Sequence, residues 1–358
     1  MPSATYETAL VELHHLGKGH SDSVNTISFS SDGTYLASGG DDRTLIIWNT
    51  VEGRLLYRLM FESSVDCVIW HPGRAGTVVV GCESGYLFQI YDLTQRSTQR
   101  YEIQLGILNT IHCLDYDKTT CSLAVGVGTD VYVIEETRQN VYEGAVMFSP
   151  PPELEGVEQE REDRMRPVGV HFGTNGEYLI ASYLAHGIRC WDTSTRDVLW
   201  HVMPPAGYPS IGSSALSHDQ SWLATYNVVN GVHLYSVTSP RKQPKVSRLL
   251  KLSTSPRTTH SVHLAFPNAG CSVTCGTTTG GVHVWNVLNG DTFQVLSHSS
   301  TSRPATDRSG YAYIATGSID KGQSTYIKIW RAKIGYCRTY TSLSHDVLKT
   351  TCSSYWHS

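Results

Sequence analysis

Residues 38–49 read SGGDDRTLIIWN, and the Asp41-Asp42 pair at the centre admits two readings. Two adjacent carboxylates could divide acid and base roles between them. They could equally close a tight turn, because a short acidic side chain accepts hydrogen bonds from nearby backbone N–H groups. Ser38-Gly39-Gly40 on one side are small. TLIIWN on the other is a β-branched and aromatic run of the kind that forms strands.

The TLIIWN shape recurs, and internal repetition at a fixed period is the strongest statement a sequence makes about its fold. A short apolar run closing on an aromatic and then a polar residue returns as YLFQIYD ending at Asp92, VYVIEE ending at Glu136 and GIRCWD ending at Asp192. It continues as GVHLYS ending at Ser236, GVHVWN ending at Asn286 and YIKIWR ending at Arg331. The aromatic slot falls at Trp48, Tyr91, Ile134, Trp191, Tyr235, Trp285 and Trp330, at intervals of 43, 43, 57, 44, 50 and 45 residues. Seven units therefore share one period, with a single long insertion.

Each unit has internal anatomy. In four units an apolar residue stands 19 positions before the slot: Phe29, Phe172, Leu216 and Phe266. Turn chemistry follows it, as Ser31-Asp32-Gly33, Thr174-Asn175-Gly176, His218-Asp219 and Asn268-Ala269-Gly270. A second strand comes next (YLASGG, YLIASY, WLATYN, SVTCGT), the slot strand is the third, and RLLYRLMF and SRLLKL are fourth strands. Four short antiparallel strands per unit make a propeller blade, and seven blades make a ring. The expected fold is all-β: a seven-bladed propeller over residues 8–335, with residues 336–358 as a tail. An N-terminal run, TALVELHHL, is in the register of a fourth strand and is expected to close the last blade. YCRTYTSLSHD competes for that vacancy, but the N-terminal run is more apolar.

At this point the chain resembles the WD-repeat β-propeller family over about residues 8–331. Its fullest unit is GHSDSVNTISFSSDGTYLASGGDDRTLIIWN, residues 19–49. The resemblance implies a structural hydrogen-bond tetrad of His, Ser/Thr, Asp and Trp, carried here by His20, Ser38, Asp42 and Trp48. His298, Thr316, Asp320 and Trp330 form a second set, with the same offsets between its first three members. In the tetrad the carboxylate accepts from backbone N–H groups and the imidazole, the imidazole meets the hydroxyl, and the hydroxyl meets the indole N–H. Asp42 is thus a structural turn acid and Asp41 its exposed neighbour. The other units depart from the pattern: Gly85, Gly128, Ala185, Val229 and Thr279 stand at the turn-acid position.

Composition narrows the function. Only 17% of residues are charged, and the net charge of −4 supplies no field that would draw the protein to DNA or an acidic membrane. Acids at Glu7 and Glu12, with no basic region before an apolar core, argue against a secretory signal, and no stretch nears the roughly 20 apolar residues of a membrane helix. Nine scattered cysteines without a CxxC pair fit a reducing compartment, cytoplasmic or nuclear, and no zinc site. His233 and His283 sit two before the slot in neighbouring units, too far apart to share an ion. GxSxG, HExxH and GxxxxGK are all absent. No catalytic residue, metal or cofactor is expected.

Two stretches stand out. Residues 149–167 insert an acid-rich arm, with Glu153, Glu155, Glu158, Glu160, Glu162 and Asp163 among Arg161, Arg164 and Arg166. Residues 241–257 are purely basic, with Arg241, Lys242, Lys245, Arg248, Lys251 and Arg257. The phosphoinositide motif FRRG is missing, and Trp191-Asp192 is followed by Thr193-Ser194 in place of the Trp-Asp-x-Arg box of ubiquitin-ligase adaptors. The expected function is a non-catalytic protein-interaction scaffold, a monomeric propeller within a larger complex. Partners would meet the loop face and channel mouth, at Arg166, Tyr183, His186, Tyr208, Arg257 and Arg303. RNA or phosphate binding through the basic segment is the alternative, and an enzyme assembled at the channel the third reading.

Overall fold

A computed structural model describes residues 4–6, 8–93, 98–152, 165–203, 210–252, 262–267, 270–277, 280–297, 305–306, 311–318 and 325–336. Two short strands open the chain, β1 (Ala4–Tyr6) and β2 (Val11–Leu16). Blade 1 is β3 (Val24–Phe29), β4 (Tyr35–Gly40), β5 (Thr44–Asn49) and β6 (Arg54–Met60). Blade 2 is β7 (Val65–Trp70), β8 (Val78–Cys82), β9 (Leu87–Tyr91) and β10 (Gln99–Ile103). Blade 3 is β11 (Ile111–Asp117), β12 (Ser122–Val127), β13 (Asp130–Arg138) and β14 (Val141–Phe148). Blade 4 is β15 (Pro167–Gly173), β16 (Tyr178–Tyr183), β17 (Gly187–Asp192) and β18 (Val198–Val202).

Blade 5 is β19 (Ile211–Leu216), β20 (Trp222–Asn227), β21 (Gly231–Ser236) and β22 (Val246–Leu250). Blade 6 is β23 (Leu264–Ala265), β24 (Ser272–Gly276), β25 (Gly281–Asn286) and β26 (Thr292–Ser297). Blade 7 is β27 (Ala305–Thr306), β28 (Tyr311–Gly317) and β29 (Ile327–Tyr336), completed by β2. All pairings are antiparallel, so the chain forms the expected seven-bladed propeller.

Closure comes from the N-terminus. Residues of β2 pair with 327–331, from Val11 opposite Arg331 to Leu16 opposite Ile327. β1 pairs with the far end of β29, Ala4 opposite Tyr336. The apolar N-terminal run therefore takes the vacancy, and residues 337–358 lie outside the described part. Tyr6 packs on Phe293 at 4.7 Å, and Gln294 exchanges two hydrogen bonds with the backbone of Leu10, which ties the closing segment to blade 6 as well.

Seven apolar clusters fill the seven seams between successive blades. Alternation along each strand sends successive side chains to opposite neighbours. Thus Ile46 and Trp48 pack toward blade 7, while Leu45 and Ile47 pack toward blade 2. First strands line the inner ring and are stitched to one another. Thr26 accepts from the Val68 N–H at 3.1 Å, Asp115 from the Phe172 N–H at 2.7 Å, and Ser213 donates to the Val262 carbonyl at 2.6 Å. The Val24 N–H donates to the Ser318 carbonyl at 2.9 Å across the closing seam.

One register differs from the sequence spacing. Leu36 pairs with Trp48 in blade 1, and the matching pair in blade 2 is Val78 with Ile90. Ile90, not Tyr91, therefore occupies the slot of blade 2. A one-residue slip exchanges the two faces of a strand. The cause is in the preceding turn: Gly85 aligns with Arg43, both at positive φ (88° and 62°), so the turn-acid position of blade 2 is Ser84.

Candidate functional site

The second-to-third-strand turns and the inter-blade connectors lie on one face of the ring, here the loop face. Its best-ordered network is in blade 1. Trp48 donates its indole N–H to Ser38 Oγ at 2.9 Å, and Ser38 meets His20 Nε2 at 2.8 Å. His20 Nδ1 meets Asp42 at 3.0 Å. Asp42 also accepts from the Ser21 N–H at 2.8 Å, the Thr44 N–H at 3.1 Å and the Thr44 hydroxyl at 2.7 Å. Burial works to raise the Asp42 pKa, but the His20 hydrogen bond and attraction, with those from Thr44 and Ser21, hold it down at about 2. Asp41 is half-buried and accepts from Asn25 at 2.6 Å. The Asp42 oxygens are thus engaged by donors of its own blade, and Asp41 is tied to Asn25.

In blade 7 Trp330 donates to Thr316 Oγ1 at 3.1 Å, while His298 and Asp320 lie outside the described residues. Blades 2 and 3 fill the same space with Val80, Ile90, Val125 and Ile134. Blade 4 uses a tyrosine. Pro167 pairs with Tyr183 where blade 1 pairs Val24 with Gly40. A Cβ on Gly40 would stand 3.2 Å from His20 Nδ1, so that glycine makes room for the histidine. Tyr183 supplies its bulk from the strand in place of a histidine from the connector. It is fully buried, and Trp191 donates to Ser149 at 3.1 Å.

The residues expected to meet partners divide accordingly. Arg166, Tyr183 and His186 converge at the loop-face end of blade 4, where the Leu184 N–H donates to the Arg166 carbonyl at 3.0 Å. Arg166 is half-buried, Tyr183 is interior, and His186 is buried, its carbonyl accepting from His201 Nε2 at 2.7 Å. As it stands, Tyr183 presents no surface to a partner. Tyr208, Arg257 and Arg303 fall outside the described residues, as do 153–164 of the acidic arm.

In the basic segment Arg241, Lys242 and Lys245 are exposed. The turn that carries them is pinned to blade 4, Trp200 donating to the Pro240 carbonyl at 2.8 Å and Gln243 to that of His201 at 3.1 Å. Arg248 is drawn to the Leu288 carbonyl. His233 bonds Asn230 at 2.8 Å and His283 stacks on Trp285 at 5.2 Å, each within its own blade; burial pushes both imidazoles below their ordinary pKa.

Sequence patterning missed a second polar centre. Glu136, on β13, accepts from Tyr116 Oη at 2.7 Å, His71 Nε2 at 3.0 Å, the Asn140 N–H at 2.8 Å and the Arg74 guanidinium. Arg74 also donates to Asn140 Oδ1 at 2.9 Å. The Gly73 N–H donates to His71 Nδ1 at 3.1 Å, while His71 Nε2 lies 3.0 Å from Glu136 and 2.8 Å from an Arg74 nitrogen. Burial would raise the Glu136 pKa; the bonds from Arg74, Tyr116 and His71 outweigh it and hold the carboxyl at about 2. His71 is pushed down by burial. This centre joins blades 2 and 3 on the face opposite the tetrads. Both Glu136 oxygens are doubly engaged by donors of this chain.

Large exposed apolar side chains lie on the outer strands (Val11, Tyr101, Val198, Val246, Leu249, Phe293 and Val295) and on the loop face. Met60, Ile107, Leu108, Met147, Met203 and Val229 lie on the loop face, with Met60 and Leu108 each 67% exposed. In the turns of the opposite face the exposed ones are Val51 and Leu288. Among the described residues no helix is long and apolar enough to cross a membrane.

Comparison with known proteins agrees with this architecture. The family described as WD domain, G-beta repeat, matches residues 11–49. The ribosome biogenesis protein ERB1 of Yarrowia lipolytica is 35% identical over 101 residues, covering 25% of this chain and 12% of that protein. The ribosome biogenesis protein BOP1 homolog of Dictyostelium discoideum is 48% identical over 54 residues, 15% of this chain and 6% of its own length. The chain thus spans only a small part of these relatives. The β-propeller domain of Cps50 (Swd1) from Myceliophteria thermophila superposes with a TM-score of 0.69 at 15% identity, covering 90% of this chain and 99% of that one. That likeness concerns the fold.

Proposed function

The chain belongs to the WD-repeat β-propeller family, and from that premise we propose that it is a non-catalytic scaffold that binds protein partners on its loop face and channel mouth. The observation that carries the reading is the exposed apolar set on that face: Met60, Ile107, Leu108, Met147, Met203 and Val229. Exposed apolar side chains on a rigid face offer area for another molecule to cover, and methionine adapts to varied shapes. A rigid ring presents such loops without first ordering them, which lowers the entropy cost of association.

The most hydrogen-bonded acids support the same reading. Asp42 and Glu136 are both saturated with donors from their own chain, as structural carboxylates are. Because the matched relatives are named ribosome biogenesis proteins, an assembly of that kind is the first partner class to test, with a nuclear location as its corollary.

The test is co-purification from native lysate after nuclease treatment, comparing the intact chain, a version lacking residues 153–166, and a Met60→Ser/Leu108→Ser double variant. Protein partners that survive nuclease and are lost from the double variant support the loop-face scaffold. Recovery of nuclease-sensitive material alone would overturn it in favour of the basic segment.

A further inference from the structure

Arg100 stacks far more closely than Arg189, whose guanidinium carbon lies 5.9 Å from the centre of the Trp191 ring. Arg58, Arg74 and Arg248 spend their N–H groups on the Gly19 carbonyl, on Glu136 and on the Leu288 carbonyl. Arg100 stands on the outer strand β10, paired with Ile90 of β9, and is exposed. Ile90 and Phe88 face blade 1, so the Arg100 side chain enters the outer groove between blades 1 and 2. There its guanidinium carbon lies 3.5 Å from the centre of the Phe88 ring and 4.6 Å from that of Phe61. The two rings are 5.7 Å apart, and Tyr86 stacks on Phe88 at 5.9 Å.

Stacking uses only the face of a guanidinium. Its five N–H groups lie in the plane and stay available at the edge. Among the described residues none of them meets an acceptor, and Arg100 forms no ion pair, although Glu102 is two residues along the same strand and Glu62 and Glu83 lie in neighbouring connectors. The rings hold the fork while leaving its donors to solvent. Leu59 and Tyr86, half-buried and packed against the same cluster, give the site apolar walls.

We propose that Arg100 anchors an aspartate or glutamate side chain of a protein partner in this groove. The carboxylate would take two parallel N–H bonds from the fork while the partner's apolar atoms cover Leu59 and Tyr86. The proposal rests on the scaffold reading and names the chemistry of one contact in it. An arginine already ordered by stacking loses little further freedom on binding, and a bidentate carboxylate is its best-matched acceptor.

The probe is a fluorescent peptide of alternating glutamate and serine, with glutamine and phosphoserine twins, titrated against wild type, R100K and R100A. Thermal unfolding of each variant establishes that it folds. The anchor predicts saturable binding of the glutamate peptide that weakens with salt, and none of the glutamine twin. Binding should fall about tenfold in R100A, with R100K between, because lysine neither forks nor stacks alike. Equal binding by R100A, equal binding of the glutamate and glutamine peptides, no binding by wild type, or Arg100-dependent binding of the phosphoserine peptide alone would each overturn it. Carrying R100A through the native co-purification separates the two readings. Partners retained at wild-type level overturn the anchor and leave the scaffold standing; no protein partners in any version overturns both.

Discussion

The blade 1 tetrad and the Glu136 centre solve one problem at opposite faces of the ring. Each gathers hydrogen-bond donors around a buried carboxylate, and each holds that carboxylate at a pKa of about 2. They differ in where the donors come from. Those of Asp42 lie within 22 residues of it in the chain, inside one repeat unit. His71 and Arg74 come to Glu136 from 65 and 62 residues away, across a seam. The tetrad stiffens a blade at its turn and connector. The Glu136 centre staples two blades whose seam lacks any tetrad, since Ile90 and Ile134 fill the slots of blades 2 and 3. Local networks mark the regular blades, and a long-range network secures the irregular pair.

Substitution of the two acids should separate these roles. E136A is expected to cost most, about 3–5 kcal/mol in chemical denaturation, because it strands the permanent charge of Arg74 in a half-buried site. D42A should cost about 1–3 kcal/mol, since the tetrad loses its acceptor without stranding a permanent charge. An E136A loss no larger than that of D42A would break the contrast between staple and local cap.

Acid titration sharpens it further. Both carboxyls are depressed in the fold, so their stabilisation is complete above the unfolded carboxyl range near pH 4 and is lost as pH falls from there to about 2. The denaturation midpoint of wild type should drop across that window, and the drop should be shallower in E136A and D42A. An unchanged slope in both variants would show that neither carboxyl is depressed.

The smallest effect has the opposite sign. Asp115, on the inner wall, has its pKa raised to about 6 by burial, against hydrogen bonds from the Phe172 and Tyr116 N–H groups. A raised carboxyl favours the fold when protonated, so its contribution to stability declines as pH rises through about 4 to 6. D115N keeps an acceptor oxygen for the Phe172 N–H and should be more stable than wild type at pH 7, by on the order of 1 kcal/mol. The advantage should vanish near pH 4. Equal stability at both pH values would assign Asp115 an ordinary pKa.

The tetrad was legible because its members sit at set offsets within a recurring unit. Asp42, two residues before the TLIIWN strand, could be read as a turn acid from that context. The blade 2 slot was read one residue late, since a spacing cannot register how many residues a turn consumes; the Ser84-Gly85 turn and the Val78–Ile90 pair decide it. Tyr183 read as a surface residue because it ends a strand beside a loop. Its interior place follows from the Gly40 register, which opens the histidine pocket to whatever side chain stands there. Nothing local marks Glu136 either, which in sequence is one of two acids closing VYVIEE. Arg100 is equally silent until Phe61 and Phe88 are brought together.

By itself the sequence determined the strand-turn period, the count of seven blades, the N-terminal closure and the tetrad of blade 1. All of these rest on hydrogen bonds and alternation over short distances along the chain, or on apolar character that marks a strand end. The tertiary structure alone decided which face each slot residue meets, how blades 2 and 3 are held, and which arginine stacks on Phe61 and Phe88. Those outcomes depend on seams between units some 40 residues apart, where the partner of a side chain is set by the curvature of the ring.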